Sequence, residues 1–215
     1  MEYFEKKVAY KTTNTYATLN SFTEKTKNIW VVLHGIGYLS RYFLRHFDEL
    51  PPNENYIIAP QAPSKYYLDK DYRNVGASWL TKENTVLETQ NVIAYLEALI
   101  EAENLASTEN LMVLGFSQGV SIATRWLAKT QLKCHHLILY AGGIPRELKP
   151  SDFDFLHANN TKITAVVGDK DEYLTKERQA SETKILRQLF KGRAQQLTFE
   201  GGHEVKKEIL QQLIP

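Results

Sequence analysis

The stretch Leu111-Met112-Val113-Leu114-Gly115-Phe116-Ser117-Gln118-Gly119 constrains the fold of this chain more than any other. An apolar run of strand length ends abruptly in Gly-x-Ser-x-Gly. A helical pattern with Val120, Ile122, Ala123, Trp126 and Leu127 on its apolar positions begins at once. Strand, sharp turn and helix in immediate succession form the context that a nucleophile elbow needs, the alternative being a glycine-rich turn with an idle serine. The turn forces the serine into a strained backbone conformation and lifts its hydroxyl clear of the sheet edge. A Cβ at Gly115 or Gly119 would clash with the tightly folded strand and helix. The expectation is an exposed, reactive Ser117.

The rest of the chain supplies the sheet that such a turn needs. Ile29-Trp30-Val31-Val32-Leu33 is apolar without alternation, the mark of a strand buried on both faces. Tyr56–Ala59, His136–Tyr140 and Ile163–Val167 read the same way, and Gln196–Phe199 reads as the last strand. Between them lie helical patterns: Tyr42, Phe43, Phe47 and Leu50 before Pro51-Pro52; residues 83–103, with Val86, Ile93, Leu96 and Ile100 on one stripe; a charged segment over roughly 175–191; and Val205, Ile209, Leu210 and Leu213 at the end. Residues 3–20 read as two short antiparallel strands around Thr12-Thr13-Asn14, with Phe4, Val8 and Tyr10 alternating. Residues 61–80 read as a long ordered loop rich in aromatics. The count is five buried strands alternating with helices, preceded by a hairpin. It predicts an α/β fold with a mostly parallel central sheet and helices on both faces, in one domain over 1–215. In such sheets ligands bind at the carboxyl ends of the strands.

Composition narrows the function classes. A net charge of +1 leaves no large field for nucleic acid or an anionic membrane, and Lys6-Lys7 and Lys206-Lys207 are too short for a basic tail. Cys134 is the single cysteine, which excludes an internal disulfide and any multi-cysteine metal site. The N-terminus has no apolar signal core and no window approaches the length of a membrane span. The expectation is a cytoplasmic protein with neither cofactor nor metal.

A serine hydroxyl becomes nucleophilic when a base takes its proton and an acid orients that base. In this fold the order is serine, acid, histidine, each after its own strand. Of six histidines, His203 fits the base: it follows the last strand in Glu200-Gly201-Gly202-His203 and precedes the terminal helix. His34 begins a different motif, and His46, His135, His136 and His157 fall in helix, strand start or surface loop. Asp169 and Asp171 compete as the acid, with Glu172 a third candidate. Gly168-x-x-Asp171 favours Asp171, because it leaves two residues for a turn toward the histidine. Backbone N–H groups of Gln118, after the nucleophile, and of Ile36, in His34-Gly35-Ile36-Gly37, are the expected oxyanion hole. Two such donors stabilise a tetrahedral intermediate by roughly several kcal/mol.

These motifs together resemble the phospholipase/carboxylesterase family of small α/β-hydrolases, which includes the acyl-protein thioesterases. Gly115-Phe116-Ser117-Gln118-Gly119 is the family's typical elbow. Pro60-Gln61-Ala62-Pro63, Ser78-Trp79 and Gly142-Gly143-Ile144-Pro145 extend the likeness over about residues 29–213. The resemblance implies Ser117 as nucleophile, Asp171 as acid, His203 as base and the amides of Ile36 and Gln118 as oxyanion hole. Two stretches depart from the pattern, Tyr38-Leu39-Ser40 where the family often has Asp, and Glu172-Tyr173-Leu174 where it commonly has Val-Pro. Both lie near the family's acyl-binding region and concern substrate rather than chemistry.

No segment is long enough for a large cap, the loop after Pro145 being only about fifteen residues. An open site suits a small-molecule ester, thioester or lysophospholipid. Tyr38, Phe116, Trp79 and the tyrosines of 66–72 are the candidates for an apolar acyl groove. A catalytically silent scaffold used for binding and a peptidase on the same fold are the alternatives. A cysteine nucleophile is disfavoured, since Cys134 lies outside any elbow. Oligomeric state is left open.

Overall fold

Runs of apolar residues without alternation become strands only where both sheet faces are covered, and the computed structural model places them so. It describes residues 2–105, 108–173 and 175–215. In chain order the strands are β1 (Tyr16–Leu19), β2 (Asn28–Leu33), β3 (Asn55–Pro60), β4 (Ser64–Tyr67), β5 (Val75–Ser78), β6 (Leu111–Phe116), β7 (His136–Tyr140), β8 (Lys162–Gly168) and β9 (Gln195–Phe199). The helices are α1 (Ser40–Phe43, continued by a 3-10 turn), α2 (Thr85–Ala102), α3 (Gln118–Thr130), α4 (Asp154–Ala158), α5 (Lys176–Leu189) and α6 (Lys207–Gln212).

The main sheet has seven strands in the order β1-β3-β2-β6-β7-β8-β9. All neighbours are parallel except β1, which runs antiparallel to β3. Every residue of β2, β3, β6 and β7 is buried, whereas β9 is a largely exposed edge. Side chains alternate between two apolar clusters. Ile29, Val31 and Leu33 pack with α2, α3 and α5, while Trp30, Val32, Met112 and Leu114 pack with α1 and α6. From β2 the chain winds outward to β3 on one side and then crosses to β6 on the other. The loops after β2 and β6 therefore diverge and leave a crevice at the carboxyl ends.

Three details differ from the sequence expectation. The antiparallel N-terminal element is one strand, β1, paired with β3. Residues 2–15 carry no regular structure, and Phe4, Val8 and Tyr10 are exposed, so their alternation buries nothing. The loop over 61–80 contains an antiparallel ribbon, β4 with β5, tied to the loop after β2 by Gly37 N–H donating to Ala77 O at 2.9 Å. Val86 is exposed, so the buried stripe of α2 starts only at Val92. No helix among the described residues is long and apolar enough to cross a membrane.

Candidate active site

Ser117 sits between β6 and α3 at φ 53°, ψ −116°, a conformation that costs a non-glycine residue strain. The fold imposes it: Ser117 N–H donates to Tyr140 O on the neighbouring strand at 2.8 Å, while Ser117 O accepts from Val120 N–H at 3.1 Å in the helix. A side chain at Gly115 would collide with the Gly119 carbonyl, and one at Gly119 with the Leu33 carbonyl of β2. Elbow, helix and central strand therefore meet at van der Waals distance, and Ser117 stands half-buried at the crevice.

His203 reaches Ser117 from the loop after β9. Its Nε2 lies 2.8 Å from Ser117 Oγ, and its Nδ1 lies 2.8 Å from Asp171 Oδ2. A carboxylate only accepts, so Nδ1 carries the proton and Nε2 of the neutral ring is free to accept from the serine hydroxyl. Asp171 is 6 % exposed, and its Oδ1 accepts from Tyr173 N–H at 2.9 Å. The β8–β9 ladder runs on into these loops, with Asp169 N–H donating to Phe199 O at 2.9 Å and Lys170 N–H to Gly201 O at 2.8 Å, so Asp171 and His203 arrive side by side. Asp169 is exposed and accepts from Gly201 N–H at 2.9 Å, tying the two loops without touching the imidazole.

The loop His34–Gly37 after β2 abuts the elbow: a methyl group on Gly35 would stand 3.2 Å from Ser117 Cβ. Among the described residues, no acceptor pairs with the backbone N–H of Ile36 or of Gln118. Gln118 opens α3, so its N–H is one of the orphan donors of a helix start and shares its positive field. Its side chain has a task that the sequence reading missed. Oε1 accepts from Trp79 N–H at 2.8 Å, and Nε2 donates to Leu80 O at 2.7 Å. Trp79 in turn donates from Nε1 to His34 O at 2.8 Å and packs its ring on the His34 imidazole, centroids 5.1 Å apart. His34 is fully buried and its pKa is pushed down to about 4 by desolvation, so the ring is neutral. Nε2 accepts from Ala62 N–H at 3.2 Å, which leaves Nδ1–H to donate to Gly35 O at 2.8 Å. Elbow, residues 78–80 and the loop carrying Ile36 thus form one hydrogen-bonded unit. Ser78-Trp79 and Gln61-Ala62 stood out in the sequence as motif matches, but only the fold reveals what they hold.

The candidates for an acyl groove fare differently. Trp79 is fully buried and offers no surface to a substrate. Phe116 is 2 % exposed, because it ends β6 on the side that faces α1 and α6; its ring lies under His203, centroids 5.1 Å apart. Tyr38 is half-buried against Phe116 and Phe43. Tyr66, Tyr67 and Tyr72 are exposed on and beside the ribbon, with the Tyr66 hydroxyl 3.9 Å from where a Gly37 Cβ would be. Of the departing stretch Glu172-Tyr173-Leu174, Tyr173 stands edge-on against His203, centroids 4.7 Å apart, and Leu174 lies outside the described residues. Cys134 is buried and its thiol is pushed up to about 12, which leaves it unreactive. Among the described residues no cluster of three His, Cys, Asp or Glu could hold a metal ion.

Solved structures share this architecture. Acyl-protein thioesterase 2 of Zea mays superposes with a TM-score of 0.69 at 17% identity, over 94% of this chain and 96% of that one. A phospholipase/carboxylesterase of Dyadobacter fermentans gives 0.65 at 21% identity, over 95% and 96%. Esterase PE8 gives 0.66 at 20% identity, over 94% and 100%. A comparison with curated protein sequences finds no match. At these identities the structural likeness establishes the fold, and the family rests on the sequence itself: the model described as Phospholipase/Carboxylesterase matches residues 14–215. The chain therefore belongs to the phospholipase/carboxylesterase family.

Proposed function

We propose that this protein is a single-domain serine hydrolase of carboxylic esters, thioesters among them, acting through an acyl-enzyme on Ser117. The observation that carries the reading is the unbroken chain from Ser117 Oγ through His203 to Asp171, with both links at 2.8 Å. As Ser117 Oγ attacks the substrate carbonyl, its proton passes to His203 Nε2. The imidazolium is stabilised by the buried Asp171 carboxylate. The oxyanion that forms is stabilised by the N–H groups of Ile36 and Gln118, which donate to nothing within the protein among the described residues. Collapse breaks the bond to the leaving alcohol or thiol, which takes the proton from Nε2. Water then enters, gives its proton to His203 and releases the acid. No step draws on a cofactor.

Family membership supports this reading, as do the names of the fold relatives, an acyl-protein thioesterase and an esterase among them. The proposed substrates are small-molecule esters, thioesters or lysophospholipids, and the proposed place of action is the cytoplasm. The test is a panel of acyl esters, thioesters and peptides, assayed on one preparation beside Ser117→Ala. Esters and thioesters turn over with wild type and fall by at least about a thousandfold with Ser117→Ala. Peptide cleavage without ester turnover would replace this reading with a peptidase.

A further inference from the structure

Tyr173 touches the site twice and is used by neither step above. Its backbone N–H donates to Asp171 Oδ1 at 2.9 Å. Its ring stands against the His203 imidazole at an interplanar angle of 71°. Phe116 supports the same imidazole from the interior, whereas Tyr173 is 57 % exposed and flanks it on the solvent side. The Tyr173 carbonyl accepts from Arg178 Nη1 at 2.8 Å, in the first turn of α5. Bound at both its N–H and its C=O, Tyr173 has little backbone freedom left. The Arg178 guanidinium also reaches the loop after β7, since a methyl group on Gly143 would lie 3.5 Å from its Nη2.

The position of that ring has a chemical consequence. In acylation the leaving oxygen takes its proton from His203 Nε2, so the leaving group departs alongside the imidazole. The Tyr173 ring stands as an exposed wall against that imidazole. We propose that Tyr173 is a specificity-determining residue for the leaving group, favouring esters of flat apolar alcohols that pack on its ring, and that Arg178 is the positioning residue that holds it. The inference rests on the acyl-transfer reading and names the substrate class on its alcohol side. The ring makes the contact, so phenylalanine suffices in its place.

The test compares ethyl acetate with phenylethyl acetate, whose alcohols have similar acidity, as a ratio of kcat/KM. Wild type favours the phenylethyl ester. Tyr173→Ala lowers the ratio roughly tenfold, through KM for the phenylethyl ester, and Tyr173→Phe keeps it. Arg178→Gln lowers the ratio in the same direction and adds nothing to Tyr173→Ala, because it acts through the same ring. An unchanged ratio in Tyr173→Ala, whether both rates fall together or neither moves, overturns the inference while leaving acyl transfer intact. A wild type that hydrolyses neither of these acetates overturns the inference, and one that also turns over no ester or thioester of the panel overturns acyl transfer as well.

Discussion

Asp169 and Asp171 stand two residues apart in one loop and are held in opposite ways. Asp171 is enclosed and keeps one oxygen on the Tyr173 amide and the other on the imidazole. Asp169 lies in solvent and spends its carboxylate on the Gly201 amide. An amide in place of Asp171 can present its NH2 to Nδ1, favouring the tautomer that leaves no base facing Ser117. Asp171→Asn is therefore expected to lower kcat for p-nitrophenyl acetate by on the order of 10⁴. Asp169→Asn keeps an oxygen for Gly201 N–H and is expected to stay within about threefold of wild type. Equal losses in the two variants would contradict these assignments. The spacing from Gly168 is enough to favour Asp171 as the acid. It says nothing of Trp79 or Phe116, because an aromatic side chain beside a motif serves equally as groove or as packing. Trp79 packs because its indole N–H finds the His34 carbonyl, a partner 45 residues away.

At the scale of elements, legibility followed how local the cause was. β2, β3, β6 and β7 are buried on both faces, and their unbroken apolar runs say so within five or six residues. The ribbon β4–β5 has no such signature. Ser64-Lys65-Tyr66-Tyr67 is fully exposed, and what fixes its partner strand is the contact of Gly76 and Ala77 with Gly37. The alternation of Phe4, Val8 and Tyr10 misleads for the converse reason, since a local pattern forms a strand only when an edge receives it. The candidate site was legible because each proposed member lies in the loop or turn that follows a strand, where the parallel order dictates its place. The tie from Gln118 to residues 78–80 was not, because it is made by one side chain across the crevice.

At the scale of the molecule, two buried neutral histidines contribute to how the fold responds to acid. Burial pushes His34 down to about 4 and His136 down to about 3, both from an ordinary 6.5. His136 lies on β7 with Nε2 2.8 Å from Thr164 Oγ1. Each ring binds protons more weakly folded than unfolded, so protons favour the unfolded chain. Their contribution to stability is fully present above about pH 6.5 and is lost as pH falls toward the folded values, a decline of several kcal/mol by about pH 4. Urea denaturation at a series of pH values is expected to show the midpoint falling steadily below pH 6.5. A midpoint that stays level from about pH 7 to pH 4 would contradict the neutral burial of these rings.

The order of the sheet sends the loop after β2 and the loop after β6 apart, and at their divergence stand a strained serine, two backbone amides without a partner among the described residues, and a histidine hydrogen-bonded to that serine. Labelling with a fluorophosphonate, followed by peptide mass spectrometry, tests most directly the proposal that this arrangement makes Ser117 a nucleophile. One equivalent of label is expected on the peptide that contains Ser117, lost in Ser117→Ala and slowed by orders of magnitude in His203→Ala. A folded wild-type protein that takes up no label, or carries it on another serine, would contradict the account.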